Sequence, residues 1–224
     1  HRFIMDDARR TFAQTQPLNV LRAQMLPERV EKIERMVANR QHGLHVIMED
    51  VANPHNMFAV ARTCDALGIQ TLHYTSRHGH TFDDANTGHR SSRGAKRWVD
   101  VLHSGRTITD CVNTLKAQGF HIAATVATEH AVAIYNVKWA SDQFDHLAVL
   151  FGNERRGLSN DAIALADSHI TIPMFGAVTS LNVSVAAAIT LAEITRQRRA
   201  SGKNYKLPQS TRAELLERFL RQAY

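Results

Sequence analysis

From residue 45 to residue 199, short apolar runs alternate with stretches of helical periodicity. His45-Val46-Ile47-Met48 is the first such run. Residues 71–74, 98–102, 120–126, 147–151 and 169–172 supply the others. Little in them alternates between apolar and polar, as expected of strands covered on both faces. Helices are predicted between them, at 57–67, 108–118, 158–166 and 183–199. Asn56 is a suitable N-cap for the first, and Gly68 and Gly119 stop the first two. Strands alternating with helices predict an α/β fold, a parallel sheet with helices on both faces. Outside this region, Pro27 opens a helix to Arg40 through Val30, Ile33, Met36 and Val37. A last helix is expected over 211–221. Residues 1–24 have no strong period, 76–97 read as a polar loop, and no internal repeat is visible.

Composition narrows the function. The 224 residues are 44% hydrophobic and 21% charged, which excludes a disordered or collagen-like chain. The longest apolar stretch, Val183 to Ala192, is broken by Ser184 and Thr190. It is too short for a membrane span of roughly 18 residues or more, and Asp6 and Asp7 stand where an export signal needs apolar residues. Cys64 and Cys111 form no C-x-x-C pair, so a reducing cytoplasm is expected. The net charge of +6 is unevenly spread. Residues 1–40, 77–106 and 192–224 are basic and the remainder is mildly acidic, a pattern that suits a polyanion held at the periphery. The alternative is a set of solvated helix faces.

Three segments carry more polar chemistry than packing needs. Asn53-Pro54-His55-Asn56 leads from a strand into a helix bearing Arg62 in an apolar turn, where it either serves a ligand or pairs with Asp65. Gly152-Asn153-Glu154-Arg155-Arg156-Gly157 follows another strand. It matches neither a phosphate loop nor a dinucleotide fingerprint, and it reads equally as a ligand loop or a tight turn. Residues 172–184 join a strand to a helix and set Ser180, Asn182 and Ser184 at the helix mouth, where they either cap it or bind substrate. Strand-to-helix junctions of this kind are where α/β proteins place ligands. His78, His80 and His89 lie in a polar loop without cysteine partners, so no metal site is expected.

Taken in order, N-P-H-N-x(5)-R-T, F-G-N-E-x-x-G-L-S and I-P-M-x-G-x-V-x-S-L-N-V-S-V-A-A-A resemble the three motifs of the SpoU branch of the SPOUT methyltransferases, and within it the TrmH-type tRNA (guanosine-2′-O)-methyltransferases. The resemblance runs from about Arg29 to Gly202. It implies a trefoil-knotted parallel sheet and S-adenosylmethionine as cofactor, with no metal. The implied domains are an N-terminal helical extension (1–40), a methyltransferase core (41–199) and a basic C-terminal helical extension (200–224). The catalytic positions it implies are Asn56, Arg62, Glu154, Ser180 and Asn182. Its cofactor-contacting positions are Thr125, Gly152, Ile172, Met174 and Leu181. Arg29, Arg90, Arg93, Arg196 and Arg198 are the expected RNA contacts, Arg90 and Arg93 from a loop longer than the family usually carries. The implied reaction is 2′-O-methylation of the D-loop guanosine at position 18 of tRNA, by a homodimer joined through the 183–194 helix. The alternatives are a ribosomal RNA substrate for the same chemistry, or a catalytically silent RNA-binding module. In the family proposal Arg62 assists deprotonation of the 2′-hydroxyl. A guanidinium is essentially always protonated, so Arg62 is read here as holding a phosphate and the reacting oxygen instead.

Overall fold

A computed structural model describes residues 12–77, 79 and 97–224. Arg90, Arg93, His78, His80 and His89 lie outside the described residues. Helices α1 (Leu18–Gln24) and α2 (Pro27–Ala38) lead into β1 (Gln41–Glu49), α3 (Pro54–Leu67) and β2 (Ile69–Thr75). Then come β3 (Asp100–His103), α4 (Ile108–Ala117), β4 (His121–Thr125), β5 (Val132–Ala133) and β6 (Leu147–Phe151). Last are α5 (Asn160–Leu165), β7 (Ser168–Thr171), α6 (Val183–Ala200) and α7 (Gln209–Ala223).

The strands form one seven-stranded sheet in the order β3-β2-β1-β6-β4-β7-β5, every neighbouring pair parallel. Side-chain alternation sorts the core into two layers. Leu44, Val46 and Met48 of β1, Ala123 of β4, and Leu147, Val149 and Phe151 of β6 join Met57, Val60, Ala61 and Cys64 of α3 and Ala187, Leu191 and Ile194 of α6. Ile47, Ile122, Ala124, Ala148 and Leu150 turn to the other layer and meet Ile108, Cys111, Val112 and Leu115 of α4. Both α3 and α4 thus bury residues at i, i+3, i+4 and i+7, one helical stripe each. Each fully buried Val, Leu or Ile contributes about 1.5–3 kcal/mol.

Register decides where the loops emerge. Met48 lies opposite both Tyr74 and Phe151, and Thr125 opposite Ile170. The C-terminal ends of β1, β6, β4 and β7 are therefore level, and the loops after them share one edge.

The expected α/β sheet covered on both faces is present, with boundaries shifted by a few residues. Three features differ. First, α1 formed where no period was visible, because a seven-residue helix burying only Leu21 leaves too short a pattern. Second, β5 is a two-residue edge pairing, too brief to signal itself. Third, α3 begins at Pro54 and not at Met57, with Asn53 as its N-cap, the Asn53 side chain accepting from the His55 N–H. Proline at the first helical position holds the preceding residue in the extended region a cap requires, so Asn56 lies inside the first turn.

The chain divides into two compact units, Gln41–Tyr205 and, separately, the segment up to Arg40 together with Lys206–Tyr224. In the second, Arg221 donates to the carbonyls of Ala13 and Gln16 at 2.6 and 3.0 Å, and the Tyr224 hydroxyl donates to Gln24 at 2.6 Å. Among the described residues no helix is long and apolar enough to cross a membrane.

Candidate active site at the C-terminal edge of the sheet

The first and second segments meet at a carboxylate. Glu154, in the loop after β6, accepts from the N–H groups of Ala52 and Asn53 at 3.2 Å each and from the Asn56 side-chain amide at 2.9 Å. The third segment joins through Asn182, whose amide donates to the Asn56 carbonyl oxygen at 3.2 Å. Asn182 Oδ1 in turn accepts from the backbone N–H and hydroxyl of Ser184 at 2.8 and 2.6 Å. The chain has a direction. A carboxylate that can only accept stands at one end and the donors of a helix N-terminus at the other, so each amide between them has one consistent orientation. Asn56, 9% exposed, is fixed at both ends. Burial pushes the Glu154 carboxyl up. The Asn56 amide and the backbone donors outweigh it, so the pKa lies below the usual carboxylate range and Glu154 stays ionised.

Backbone geometry fixes the loop carrying Glu154. Asn153 and Gly157 exchange backbone hydrogen bonds at 3.0 and 2.9 Å, closing a turn in which Gly157 has φ +68°. A Cβ on Gly152 would stand 2.3 Å from the Gly157 carbonyl carbon and 2.4 Å from the Leu158 nitrogen. Gly152 is thus required by the chain's approach to itself, the tight-turn reading of this segment. The Asn153 side chain donates to the Asp50 carbonyl at 2.7 Å and accepts from the N–H groups of Arg155 and Arg156.

The remaining expected positions lie on several elements. Thr125 ends β4, with its hydroxyl donating to the Leu150 carbonyl at 2.9 Å. Ile172 and Met174 follow β7, and Leu181 precedes α6; all three are partly buried and Ser180 is exposed. From Ile172 to Leu181 no backbone–backbone hydrogen bond is made among the described residues. Its N–H and C=O groups are therefore available to a ligand or to water. Arg62 is exposed on α3, six residues beyond Asn56 and so about 9 Å further along the helix axis. Arg29 is exposed on α2. Arg196 is exposed and paired with Glu193 through two hydrogen bonds of 2.8 Å.

Arg198 requires a correction. It is 1% exposed and cannot reach an RNA phosphate. Its guanidinium donates to the carbonyls of His42, Gly43 and Phe144 at 3.0, 3.1 and 2.6 Å, and stacks 4.4 Å from the Tyr205 ring centroid. Burial pushes its pKa down to about 10, against the attraction of Tyr205 and Asp145. A basic run at a helix end looks solvent-facing in sequence, yet one residue of the run falls on the buried stripe of α6 with Ile194 and Leu191.

Sequence reasoning did not single out Asp50 and Arg156. They pair beside the Glu154 loop, in a cleft lined also by Glu49, Arg77, Asn153 and Ser159. The available signal was two acids closing an apolar strand just before the Asn53-Pro54 turn.

Comparisons with known proteins identify the family and the fold. The family model described as "SpoU rRNA Methylase family" matches residues 43–192. The chain is 39% identical over 199 residues to the tRNA (guanosine(18)-2′-O)-methyltransferase of Escherichia coli K12, covering 86% of this chain and 82% of that protein. It superposes on the A. aeolicus TrmH/SpoU tRNA modifying enzyme with a TM-score of 0.74 at 29% identity, covering 87% of this chain and 95% of that one. A SpoU methyltransferase of Streptomyces viridochromogenes, solved in complex with the cofactor AdoMet, superposes with a TM-score of 0.61 at 26% identity over 75% of this chain and 65% of that one.

Proposed function

Because the chain belongs to the SpoU methylase family, we propose that it transfers a methyl group from S-adenosylmethionine to the 2′-hydroxyl of the D-loop guanosine at position 18 of tRNA. One observation carries the reading. Three separated segments meet in the single chain Glu154–Asn56–Asn182 at the sheet edge where strand-to-helix loops gather.

The residues present suit the cofactor. The hydrogen-bond-poor backbone from Ile172 to Leu181, partly buried at Ile172, Met174 and Leu181, offers donors and acceptors for a purine edge. Thr125 and Gly152 close the neighbouring strand ends. When bound there, the cofactor supplies an electrophilic sulfonium methyl. The protein must align a weakly nucleophilic hydroxyl and remove its proton. Glu154 is a poor base at neutral pH, because its donors hold it ionised; it acts by orienting Asn56 towards the ribose. Asn182 fixes the other face of Asn56, with Ser180 beside it. Arg62 holds the RNA phosphate and the reacting oxygen while the proton leaves through a relay to solvent. Arg29, Arg90, Arg93 and Arg196 are the RNA contacts of this reading, Arg196 once it leaves Glu193.

The same reading includes the family's trefoil knot and a homodimer. Phe175 (96% exposed), Val178 and Val185 leave an apolar surface around the start of α6 that a second copy would cover. It also places the protein in the cytoplasm, a compartment that suits the buried thiols of Cys64 and Cys111.

The test is incubation with labelled cofactor and unmodified tRNA or rRNA, followed by mapping of the methyl group. Label at guanosine 18 of tRNA is expected. Label confined to rRNA, or RNA binding without transfer, overturns the reading.

A further inference from the structure

Asp50 is the one non-glycine residue with a positive φ (+50°) among the described residues, and it stands where β1 gives way to the loop before α3. Aspartate tolerates this left-handed conformation better than most side chains, yet such positions persist only where their surroundings over-determine them. Here they do. The Asp50 N–H donates to the Thr75 carbonyl at 3.1 Å, and its own carbonyl accepts from the Asn153 amide at 2.7 Å. Of its carboxylate oxygens, one accepts from the Arg77 N–H at 3.3 Å and the other from the Arg156 guanidinium.

These contacts hold the Glu154 site from both sides. The left-handed turn at Asp50 redirects the chain so that the next residues but one, Ala52 and Asn53, aim their N–H groups at Glu154. Asn153 and Arg156, both bound to Asp50, flank Glu154 within its own loop. The donors and the carboxylate they serve are therefore indexed to one residue. We propose that Asp50, latched by Arg156, is a positioning residue that sets the Glu154 carboxylate against its backbone donors and thereby orients Asn56 for methyl transfer. The inference rests on the methyltransferase reading for its kinetic consequence and on geometry alone for its structural one. The pairing with the Arg77 N–H extends the latch to the segment that leaves β2.

The experiment is a double-mutant cycle read by single-turnover methylation with saturating cofactor and tRNA. Asp50→Gly keeps the left-handed turn available and removes the carboxylate. Arg156→Gln removes the latch from an exposed side chain without touching the turn, so it covers the case in which the first variant folds poorly. Each should slow transfer, Asp50→Gly by about tenfold or more, with cofactor affinity within about threefold of wild type. If Asp50 acts through Glu154, these losses shrink by more than threefold in a Glu154→Gln background. Losses that repeat there to within threefold overturn the proposal, because they mean an effect that bypasses Glu154. Asp50→Asn, which keeps the turn and the acceptor for Arg77, should recover part of the rate. Carboxyl-carbon NMR titration of Glu154 gives a readout independent of turnover. Its midpoint should rise in Asp50→Gly as donors are lost, and an unmoved midpoint overturns the proposal. Wild-type protein that methylates no RNA defeats the methyltransferase reading instead, and the titration then decides this inference alone.

Discussion

At the scale of single residues, Arg198 and Gly152 show how strongly packing constrains one buried side chain and one turn. Arg198 is a buried cation whose two terminal nitrogens donate to main-chain carbonyls of two segments, the start of β1 and the turn before β6. Arg198→Ala should lower unfolding free energy by about 3 kcal/mol or more, since several buried carbonyls lose a charged donor together. Arg198→Lys should rescue little, because a point charge cannot copy the planar fork or its stacking on Tyr205. Urea denaturation measures both, and a loss below about 1 kcal/mol for the alanine variant would assign Arg198 to the surface after all. Gly152→Ala should disable the Glu154 loop while the sheet survives. The added methyl meets backbone at 2.3 Å, which no rotamer change relieves. The expected result is a folded protein by circular dichroism with cofactor affinity reduced at least tenfold, measured by calorimetry. Wild-type affinity would mean that the 152–157 turn can open at little cost.

At the scale of elements, β1 and β2 share a half-buried polar pair. His45 Nδ1 and His73 Nε2 lie 3.1 Å apart, and His73 reaches the Ser104 hydroxyl at 2.9 Å. Burial, with repulsion from His73, His146 and His42, lowers the His45 pKa to about 3, and burial lowers that of His73 to about 4. Both folded values lie below the ordinary 6.5, so the unfolded chain takes up protons first as the pH falls. The stabilisation is complete above pH 6.5 and drains away below it, down to pH 4 for His73 and pH 3 for His45. Each histidine contributes a slope of about 1.4 kcal/mol per pH unit in that window. Denaturation of wild type and His45→Gln between pH 7 and pH 4.5 should show a shallower acid decline in the variant. Parallel curves would mean that His45 is solvated enough to titrate normally. The same two strands bring Asp50 and Arg77 together at the rim, where the Arg77 N–H donates to the Asp50 carboxylate beside the Glu154 loop.

At the scale of the molecule, the apolar residues around the start of α6 predict self-association. Phe175 at 96% exposure and Val178 at 61% are unusual on a surface otherwise rich in charge, and α6 buries Ala187, Leu191 and Ile194 in its own unit while leaving Val185 outward. Light scattering at micromolar concentration should report twice the 25.1 kDa chain mass, and Phe175→Asp with Val178→Asp should return it to the monomer. A wild-type monomer rejects the assignment.

Much of this protein was legible in its sequence, for a definite physical reason. Buried parallel strands must be apolar, helices must carry a stripe at 3.6-residue spacing, and glycines and prolines must punctuate them, so the α/β class and most elements could be read locally. The identities of Asn56, Glu154 and Asn182 were also readable, because three spaced motifs resemble one family. Local pattern could not say that these three side chains form one directed hydrogen-bonded chain, since 98 and 126 residues separate the partners. Nor could it reveal that Pro54 moves the cap from Asn56 to Asn53 and frees Asn56 for the site. The basic run 196–199 holds one inward and two outward arginines, because helical rotation, not composition, decides which of them meets the core. Asp50 is the sharpest case: its left-handed turn and its bonds exist only once β1, β2 and the loop after β6 are brought together. Sequence determined which groups were available, and the tertiary structure decided which of them face one another, because hydrogen bonds over such separations depend on sheet register and crossover packing.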